Sequence, residues 1–314
     1  MDRLGSSRLK LFKLDNTTSN KRVKSDTLSK YRRAYRQFLT FLTLGNLIIV
    51  SVDGLDAALV RYGTEVAETR GEFAMVFAAL QFFHPICSKA LCCSFQQKRG
   101  WDLDAQVKHT VPLVMALLWG TIRCLIRMGE ARAAVGLGLQ YGGLLRPGEL
   151  CEMRGGDIVL PEHHGYGCLI MLGLRTHGTK VKRQQTVEIK NAFFVAMARF
   201  MFRNTARDAP VLRLDYQQYG ALLRRAWTLM GVDGLGLTPH SARAGGATND
   251  LLNGVPFSTV QERGRWLHAQ SCRIYLDRAQ ALSMQTVAHS QAFLALAQNP
   301  RLVGDIFAFN KVAT

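Results

Sequence analysis

Apolar residues recur at every third or fourth position along much of the chain, which is the spacing of one face of a helix. The clearest example is DTLSKYRRAYRQFLTFL at residues 26–42, where apolar and aromatic residues share one face and basic residues the other. The same period continues through residues 51–71 and 71–91 and gives way to a polar stretch at 93–110. This pattern predicts a small all-helical domain that ends before the polar stretch.

A second helical region begins at residue 111 and is interrupted once. Residues 168–174 and 185–189 are short β-type runs around a turn rich in Gly, Thr and Lys, which predicts a hairpin. The spacing predicts helices at 111–127, 130–142, 191–204, 215–230, 241–253 and 256–266. The predicted fold class is therefore mainly α, with a small antiparallel β-sheet in the second domain.

These changes in pattern divide the chain into five parts. They are a basic, flexible arm at 1–24, a helical domain at 25–95, a linker at 96–110, a larger domain at 111–290 and a tail helix at 291–314. The tail carries more apolar residues than a free segment is expected to expose. It is predicted either to fold back onto its own domain or to dock on a neighbouring subunit.

The charge of the chain indicates a polyanionic partner. The 40 Lys and Arg against 23 Asp and Glu give a net charge of +17. Residues 1–36 alone hold eleven Lys or Arg and three Asp, a net +8, which favours attraction to the phosphates of a nucleic acid. The alternative is a solvated basic tail or a nuclear import signal at NKRVK, residues 20–24.

Other classes of protein find no support in the sequence. The longest apolar run, residues 110–122, has 13 residues, whereas a membrane span needs roughly 20. The N-terminus has no apolar signal core, so we expect an intracellular protein, in the nucleus of a eukaryote or the cytoplasm or nucleoid of a bacterium.

Seven cysteines without a C-x-x-C pair predict reduced thiols and no zinc site. Without a phosphate-binding loop or an acidic ladder, we expect no cofactor.

The segment LLRPGEL, residues 144–150, combines a helix start with an arginine. The residue before a proline is disfavoured in the helical region and proline suits the first turn, so Arg146 is expected just before a helix that begins at Pro147. Free backbone N–H groups and the helix dipole favour a phosphate there. Glu149 is expected to orient the guanidinium, although such a pair is more often structural.

A second helix start lies in LTPHSARAGGATNDLL, residues 237–252. His240 and Arg243 are three residues apart and therefore share one face of the helix. Gly245 and Gly246 each cost a helix roughly 1 kcal/mol relative to alanine, which is easier to understand if a backbone or a ligand approaches closely. An isolated H-x-x-R pair is a weak signal that gains weight only from its neighbours.

Two more candidates are a lysine and a tyrosine. The predicted hairpin turn THGTKVKR carries Lys180 and Lys182. In GRWLHAQSCRIYLD, residues 264–277, Trp266 precedes Tyr275 by nine residues. On one straight helix these side chains point to opposite faces, so they act together only if the chain bends between them. Ser271 is then expected to cap a new helix that runs through the tyrosine.

Together these residues suit the cleavage of a phosphodiester by a tyrosine hydroxyl without a metal ion. A phosphoryl transition state needs its equatorial oxygens neutralised, its nucleophile aligned and its leaving oxygen protonated. Where no Mg²⁺ is held, two guanidinium groups neutralise the oxygens. Two arginines, a histidine, a hairpin lysine and a tyrosine supply this set.

As an ordered set, the motifs resemble the tyrosine recombinase, or phage integrase, family over essentially the whole chain. LLRPGEL is similar to the family's first arginine box, which implies roles for Arg146 and Glu149, and HSARAGGA is similar to its His-x-x-Arg box. Trp266 falls where most members have His and some have Trp, at the family's distance from Tyr275. The resemblance implies a helical core-binding domain that contacts DNA, followed by a catalytic domain.

The resemblance also implies a function, a site-specific recombinase that cuts and rejoins DNA through a 3′-phosphotyrosine. The implied roles are Tyr275 as nucleophile, Arg146 and Arg243 on the non-bridging oxygens, His240 in proton transfer, Trp266 as hydrogen-bond donor and Lys180, or alternatively Lys182, as general acid. The implied partners are double-stranded DNA and further copies of the chain, as a tetramer on two DNA sites. Because phosphotyrosine conserves the bond energy, no cofactor or metal is implied.

Two other functions stay open from the sequence. A type IB-like topoisomerase uses the same chemistry as a monomer, and a domesticated DNA-binding protein has lost that chemistry. The two-domain layout favours the recombinase over the first, and the intact set of catalytic residue types argues against the second. Tyr216 and Tyr219 are the alternative nucleophiles.

Overall fold

The computed structural model describes residues 23, 25–87, 89–104, 110–165, 170–174 and 185–276 of the 314-residue chain. The predicted tail, nearly all of the predicted arm, and the hairpin turn with Lys180 and Lys182 lie outside these residues. The chain divides into two compact units, Met1–Val107 and Lys108–Thr314.

The first unit is built from helices that enclose an apolar core. Its helices are α1 (Ser25–Leu44), α2 (Val52–Glu65), α3 (Arg70–Phe83) and α4 (Cys92–Asp104), with a 3-10 turn at Pro85–Cys87. Ser51 and Thr69 cap α2 and α3, because their side-chain oxygens accept hydrogen bonds from backbone N–H groups of the first turn. The fully buried members of the core include Phe38, Leu55, Leu59, Phe73 and Leu80.

Helix α4 occupies part of the stretch that was too polar to predict a helix. Residues 96–104 of the predicted linker, 96–110, are therefore helical, and the prediction is corrected to that extent. Asp56 of α2 is buried and accepts hydrogen bonds from the backbone N–H groups of Cys93 (2.7 Å) and Ser94 (2.9 Å). A carboxylate at a helix N-terminus stabilises the helix, and this one comes from another helix, so the local pattern does not reveal it.

The second unit contains the larger group of helices. In the described residues they are α5 (Met115–Arg127), α6 (Ala131–Gly142), α7 (Pro147–Cys151), α8 (Pro161–His164), α9 (Ala192–Phe202), α10 (Tyr216–Leu229), α11 (Ser241–Leu252), α12 (Phe257–Arg263) and α13 (Ala269–Arg273). Helix α6 is buried along nearly its whole length because it packs against α5, α9 and α11. Over the part of the chain that is described, no helix combines the length and apolar character of a membrane span.

An antiparallel sheet completes this unit. Its strands lie in the order β1 (Ile158–Val159), β2 (Ile170–Leu174) and β3 (Gln185–Ile189). In the register of the sheet, Leu172 pairs with Ile158 on one side and Val187 on the other. The two strands of the predicted hairpin are confirmed, whereas β1 is too short to give a pattern. The predicted fold class, mainly α with a small antiparallel sheet, is confirmed.

Two glycines bring the backbone of α11 directly against neighbouring backbone. A Cβ atom on Gly245 would lie 2.0 Å from the carbonyl oxygen of Leu113, and one on Gly246 would lie 2.2 Å from that of Tyr141. The backbone N–H of Leu113 also donates to the carbonyl oxygen of Ser241 at 2.9 Å. The paired glycines thus let the backbone of α11 pack directly against the backbone of Leu113 and Tyr141, and this contact sets the position of α11.

We expect Gly245→Ala to destabilise the second unit by at least about 2 kcal/mol, because the backbone of Leu113 cannot move aside as a flexible side chain does. The control is Gly100→Ala in α4, where an added Cβ meets nothing within 4 Å. That control should gain up to about 1 kcal/mol from the better helix former. Urea unfolding followed by circular dichroism measures both changes, and an unchanged midpoint for Gly245→Ala contradicts the close approach.

Candidate active site

Arg146 lies immediately before α7, which begins at Pro147 as the sequence predicts. Glu149 accepts a hydrogen bond from the Arg146 backbone N–H at Oε2 (2.8 Å) and from Arg146 Nη1 at Oε1 (2.6 Å). The Glu149 side chain is 1% exposed and that of Arg146 is 22% exposed. The carboxylate therefore caps the helix and orients a guanidinium that solvent still reaches.

Arg265 is a second cationic partner of the same carboxylate, and the sequence patterns miss it. Its Nη2 donates to Glu149 Oε2 at 2.7 Å, and its side chain is 7% exposed. Burial lowers the pKa of Arg265, and the negative charge of Glu149 opposes this effect. A basic residue in a turn has no periodic signal, so only its place directly before Trp266 points to it.

Arg243 lies on α11 and is completely buried. Its Nη1 donates to the carbonyl oxygen of Leu144 and its Nη2 to that of Gly264. Burial, together with the positive charges of Arg146 and Arg265, lowers the pKa of Arg243 to about 9. The group is still charged at neutral pH, where a bound anion would offset the repulsion among the three guanidinium groups.

Two aromatic rings cover the Arg243 guanidinium. Its central carbon lies 4.2 Å from the centroid of the Trp266 ring and 5.6 Å from that of the Tyr275 ring. Gly264 makes room for the tryptophan, since a Cβ there would lie 1.6 Å from the ring. The His240 ring centroid is 6.3 Å from that of Tyr275. The fold therefore gathers these predicted residues around a guanidinium that solvent does not reach.

The chain bends between Trp266 and Tyr275, which is the condition for the two side chains to act together. Helix α13 begins after His268 and is only five residues long. The expected cap at Ser271 is wrong, because the bend comes earlier and Ser271 lies inside this helix. Tyr275 lies just past the helix end, and its carbonyl oxygen accepts a hydrogen bond from Thr248 Oγ1 at 3.2 Å. This bond ties the tyrosine to α11.

A buried hydrogen-bond chain, also missed by the sequence patterns, fixes the start of α11. The Tyr219 hydroxyl donates to Gln140 Oε1 at 2.8 Å, and Gln140 Nε2 donates to the carbonyl oxygen of Pro239, also at 2.8 Å. Both side chains are fully buried, so the residue before His240 is held from α6 and α10. Burial raises the pKa of Tyr219 well above its usual value, which makes this alternative nucleophile a poor one.

The charges of the site suit a phosphodiester. Three guanidinium groups and one carboxylate, those of Arg146, Arg243, Arg265 and Glu149, leave an excess of positive charge beside the tyrosine. The described residues contain no group of three or more His, Cys, Asp or Glu that could hold a metal ion. Lys180 and Lys182 lie outside the described residues, so the predicted general acid is not placed.

Three solved structures with a similar fold are structures of integrases. The integrase of transposon Tn1549 in complex with transposon right end DNA gives a TM-score of 0.60 at 15% identity, covering 86% of this chain and 96% of that one. A lambda integrase dimer bound to a COC′ core site gives 0.54 at 14% identity, covering 82% and 91%. A lambda integrase tetramer bound to a Holliday junction gives 0.53 at 14% identity, covering 82% and 73%.

The sequence identifies the family directly. The family model for the phage integrase family matches residues 123–281, just over half of the chain, and this chain belongs to that family. The predicted resemblance is thereby confirmed, and the matched range contains every residue of the candidate site. A comparison with curated proteins gives no match.

We expect Glu149→Gln to destabilise the second unit by about 3 kcal/mol or more, because it leaves buried guanidinium groups without their counter-charge. The matched control is Glu152→Gln at the end of α7, where the side chain is exposed and a change within about 0.5 kcal/mol is expected. Urea unfolding curves at pH 7 measure both. Equal midpoints for the two variants would show that the carboxylate does not hold the site together.

Proposed function

We propose that this protein is a site-specific recombinase that cleaves and rejoins DNA through a 3′-phosphotyrosine intermediate. The observation that carries the proposal is the cluster of Arg146, Arg243, His240, Trp266 and Tyr275, which come from separate segments and meet in the second unit. Membership of the phage integrase family supports it.

The proposed reaction needs no external energy source. The Tyr275 hydroxyl oxygen attacks the scissile phosphorus, the bond from phosphorus to the 5′ oxygen breaks, and the tyrosine proton leaves through His240. Arg146 and Arg243 hold the non-bridging oxygens, Trp266 donates a hydrogen bond on the phosphate side, and a lysine protonates the 5′ oxygen. Attack by a 5′ hydroxyl on the phosphotyrosine reverses these steps and restores the tyrosine.

The buried position of Arg243 adds a condition to this mechanism. The guanidinium is covered by the Trp266 and Tyr275 rings. We propose that the Tyr275 ring moves aside when DNA binds, since this movement also brings the hydroxyl towards the phosphate. The Tyr275 backbone is held by hydrogen bonds to the carbonyl oxygen of Cys272 and from Thr248, so the proposed movement is a rotation of the side chain.

We propose double-stranded DNA and further copies of the chain as partners. The net charge of +17 favours a polyanion, and the similar structures include recombinases bound to DNA as a dimer and as a tetramer. In this proposal the helical first unit is the core-binding domain, residues 111–290 are the catalytic domain and the tail at 291–314 joins subunits. The compartment that holds the DNA is then the site of action.

Tyr275→Phe keeps the ring and removes the attacking oxygen, so we expect DNA binding to be unchanged and no covalent adduct to form. The substrate is a nicked suicide duplex built from DNA that flanks the gene, incubated without added metal, and the adduct is detected on a denaturing gel. The control is Tyr216→Phe, an exposed tyrosine of α10 that should leave adduct formation unchanged.

An undiminished adduct in Tyr275→Phe would place the nucleophile elsewhere. Adduct formation by the wild type together with relaxation of supercoils, but without joining of two duplexes, would favour a topoisomerase. DNA binding with no adduct on any cleavable substrate would favour a non-catalytic DNA-binding protein.

Lys180→Ala is expected to slow cleavage by about 10²-fold or more, and Lys182→Ala far less, if Lys180 is the general acid. A 5′-bridging phosphorothioate should restore the rate of the true general-acid variant, because its sulfur leaves without protonation. Single-turnover cleavage of both substrates by both variants measures this. Rescue of the Lys182 variant alone would exchange the two assignments.

A further inference from the structure

Arg265 has a left-handed backbone conformation, which is strained for a residue that carries a side chain. Its φ is +59°, in the left-handed region where glycine is the favoured residue. Among the described residues outside glycine, only three others share a positive φ, Asn46, Leu144 and Arg213. A strained residue of this kind persists where the surrounding contacts require its side chain.

Arg265 contacts the groups that hold Arg146 and Arg243, the two arginines that we propose to bind the phosphate. Its Nη2 donates to Glu149 Oε2 at 2.7 Å, while Glu149 Oε1 holds Arg146. Its Nη2 also lies 3.3 Å from the carbonyl oxygen of Leu144, which is the acceptor for Arg243. One planar guanidinium thus fixes two acceptors that orient two other guanidinium groups.

Leu144, whose carbonyl oxygen accepts from Arg265, also has a strained backbone. Its φ is +48°, and it lies in the loop between α6 and α7 that leads to Arg146. Arg265 also donates to Gly143 of that loop at 3.4 Å. Two left-handed residues, Leu144 and Arg265, therefore face each other across the hydrogen bonds that join the first arginine box to the turn before Trp266.

We propose that Arg265 is a positioning residue for DNA cleavage, which holds Arg146 through Glu149 and Arg243 through the Leu144 carbonyl. This inference rests on the proposed function. Arg265 is not assigned a contact with the phosphate, because its two terminal nitrogens already donate to four acceptors, Glu149 and the carbonyl oxygens of Gly143, Leu144 and Arg263. Each terminal nitrogen of Arg243 donates to one carbonyl only, which leaves it an N–H group for a phosphate. Arg265 also contributes a third positive charge beside the two proposed ligands of the phosphate.

The test compares Arg265→Gly with Arg263→Ala. Glycine suits the left-handed backbone and deletes the guanidinium, so the variant should fold. Arg263 is the matched control, because it donates to the carbonyl oxygen of Gly142 at the end of α6 (3.0 Å), pairs with Asp250 and has no bond to Glu149 among its contacts. We expect Arg265→Gly to lower the rate of adduct formation about 10- to 100-fold, with DNA affinity nearly unchanged, and Arg263→Ala to lower it less than threefold.

Chemical rescue separates positioning from general stability. Free guanidinium ion at low millimolar concentration should restore part of the rate of Arg265→Gly and leave Arg263→Ala unchanged, because only the first variant opens a cavity beside Glu149. Arg265→Lys should retain part of the rate, because the charge remains but the planar fork is lost. The melting temperature of each variant confirms that it is folded.

The outcomes separate the two proposals. A wild-type protein that forms no adduct contradicts the proposed function itself. A wild type that forms adduct while folded Arg265→Gly matches its rate, or loses rate without any rescue by guanidinium, overturns the positioning role. If Arg265→Gly does not fold, the rate of Arg265→Lys decides: a rate equal to that of the wild type overturns the role, and a reduced rate with unchanged DNA affinity supports it.

Discussion

The carboxylate of Glu149 is the constraint on which the candidate site depends. It is almost completely buried between Arg146 and Arg265, and Arg243 lies close enough to feel all three charges. Removing ions from water costs several kcal/mol for each ion unless partners compensate. Arg243 and Arg265 are therefore buried, and Arg146 is partly buried, where the loop before α7, helix α11 and the turn after α12 meet around this carboxylate. The same contact that stabilises these segments also assembles the groups that a phosphate needs.

The Arg243 guanidinium is stabilised by two aromatic rings as well as by the charge of Glu149. The buried guanidinium donates to two backbone carbonyls and lies against the rings of Trp266 and Tyr275. Cation–π contacts of a desolvated arginine contribute about 2 kcal/mol. A phosphate would replace a ring by a full negative charge, which interacts more strongly with the same cation. In the proposed function, the phosphate therefore takes the place of the Tyr275 ring at Arg243, so that substrate binding also releases the nucleophile.

The sequence predicts much of the fold because periodicity is a local property. The helices from α1 to α12 that carry a long apolar face, and the strands β2 and β3, follow from spacing alone. Helix α4 does not, since its cap is Asp56 of another helix. Strand β1 has two residues and exists only as a partner of β2. Arg265 and the pair Gln140 and Tyr219 gave no pattern, because each acts through one contact far away in the chain.

The sequence by itself determined the residue types of the site, their order, the predicted bend between Trp266 and Tyr275, and the family. The motifs are short and lie at helix starts, whose signals are local in the chain. Only the tertiary structure decided that Glu149 pairs with two arginines and that Arg243 lies against two aromatic rings. It also decided that Tyr275 lies past the end of α13. The reason is physical: burial and pairing of charges depend on segments that are distant in sequence, and their energies arise only when those segments pack together.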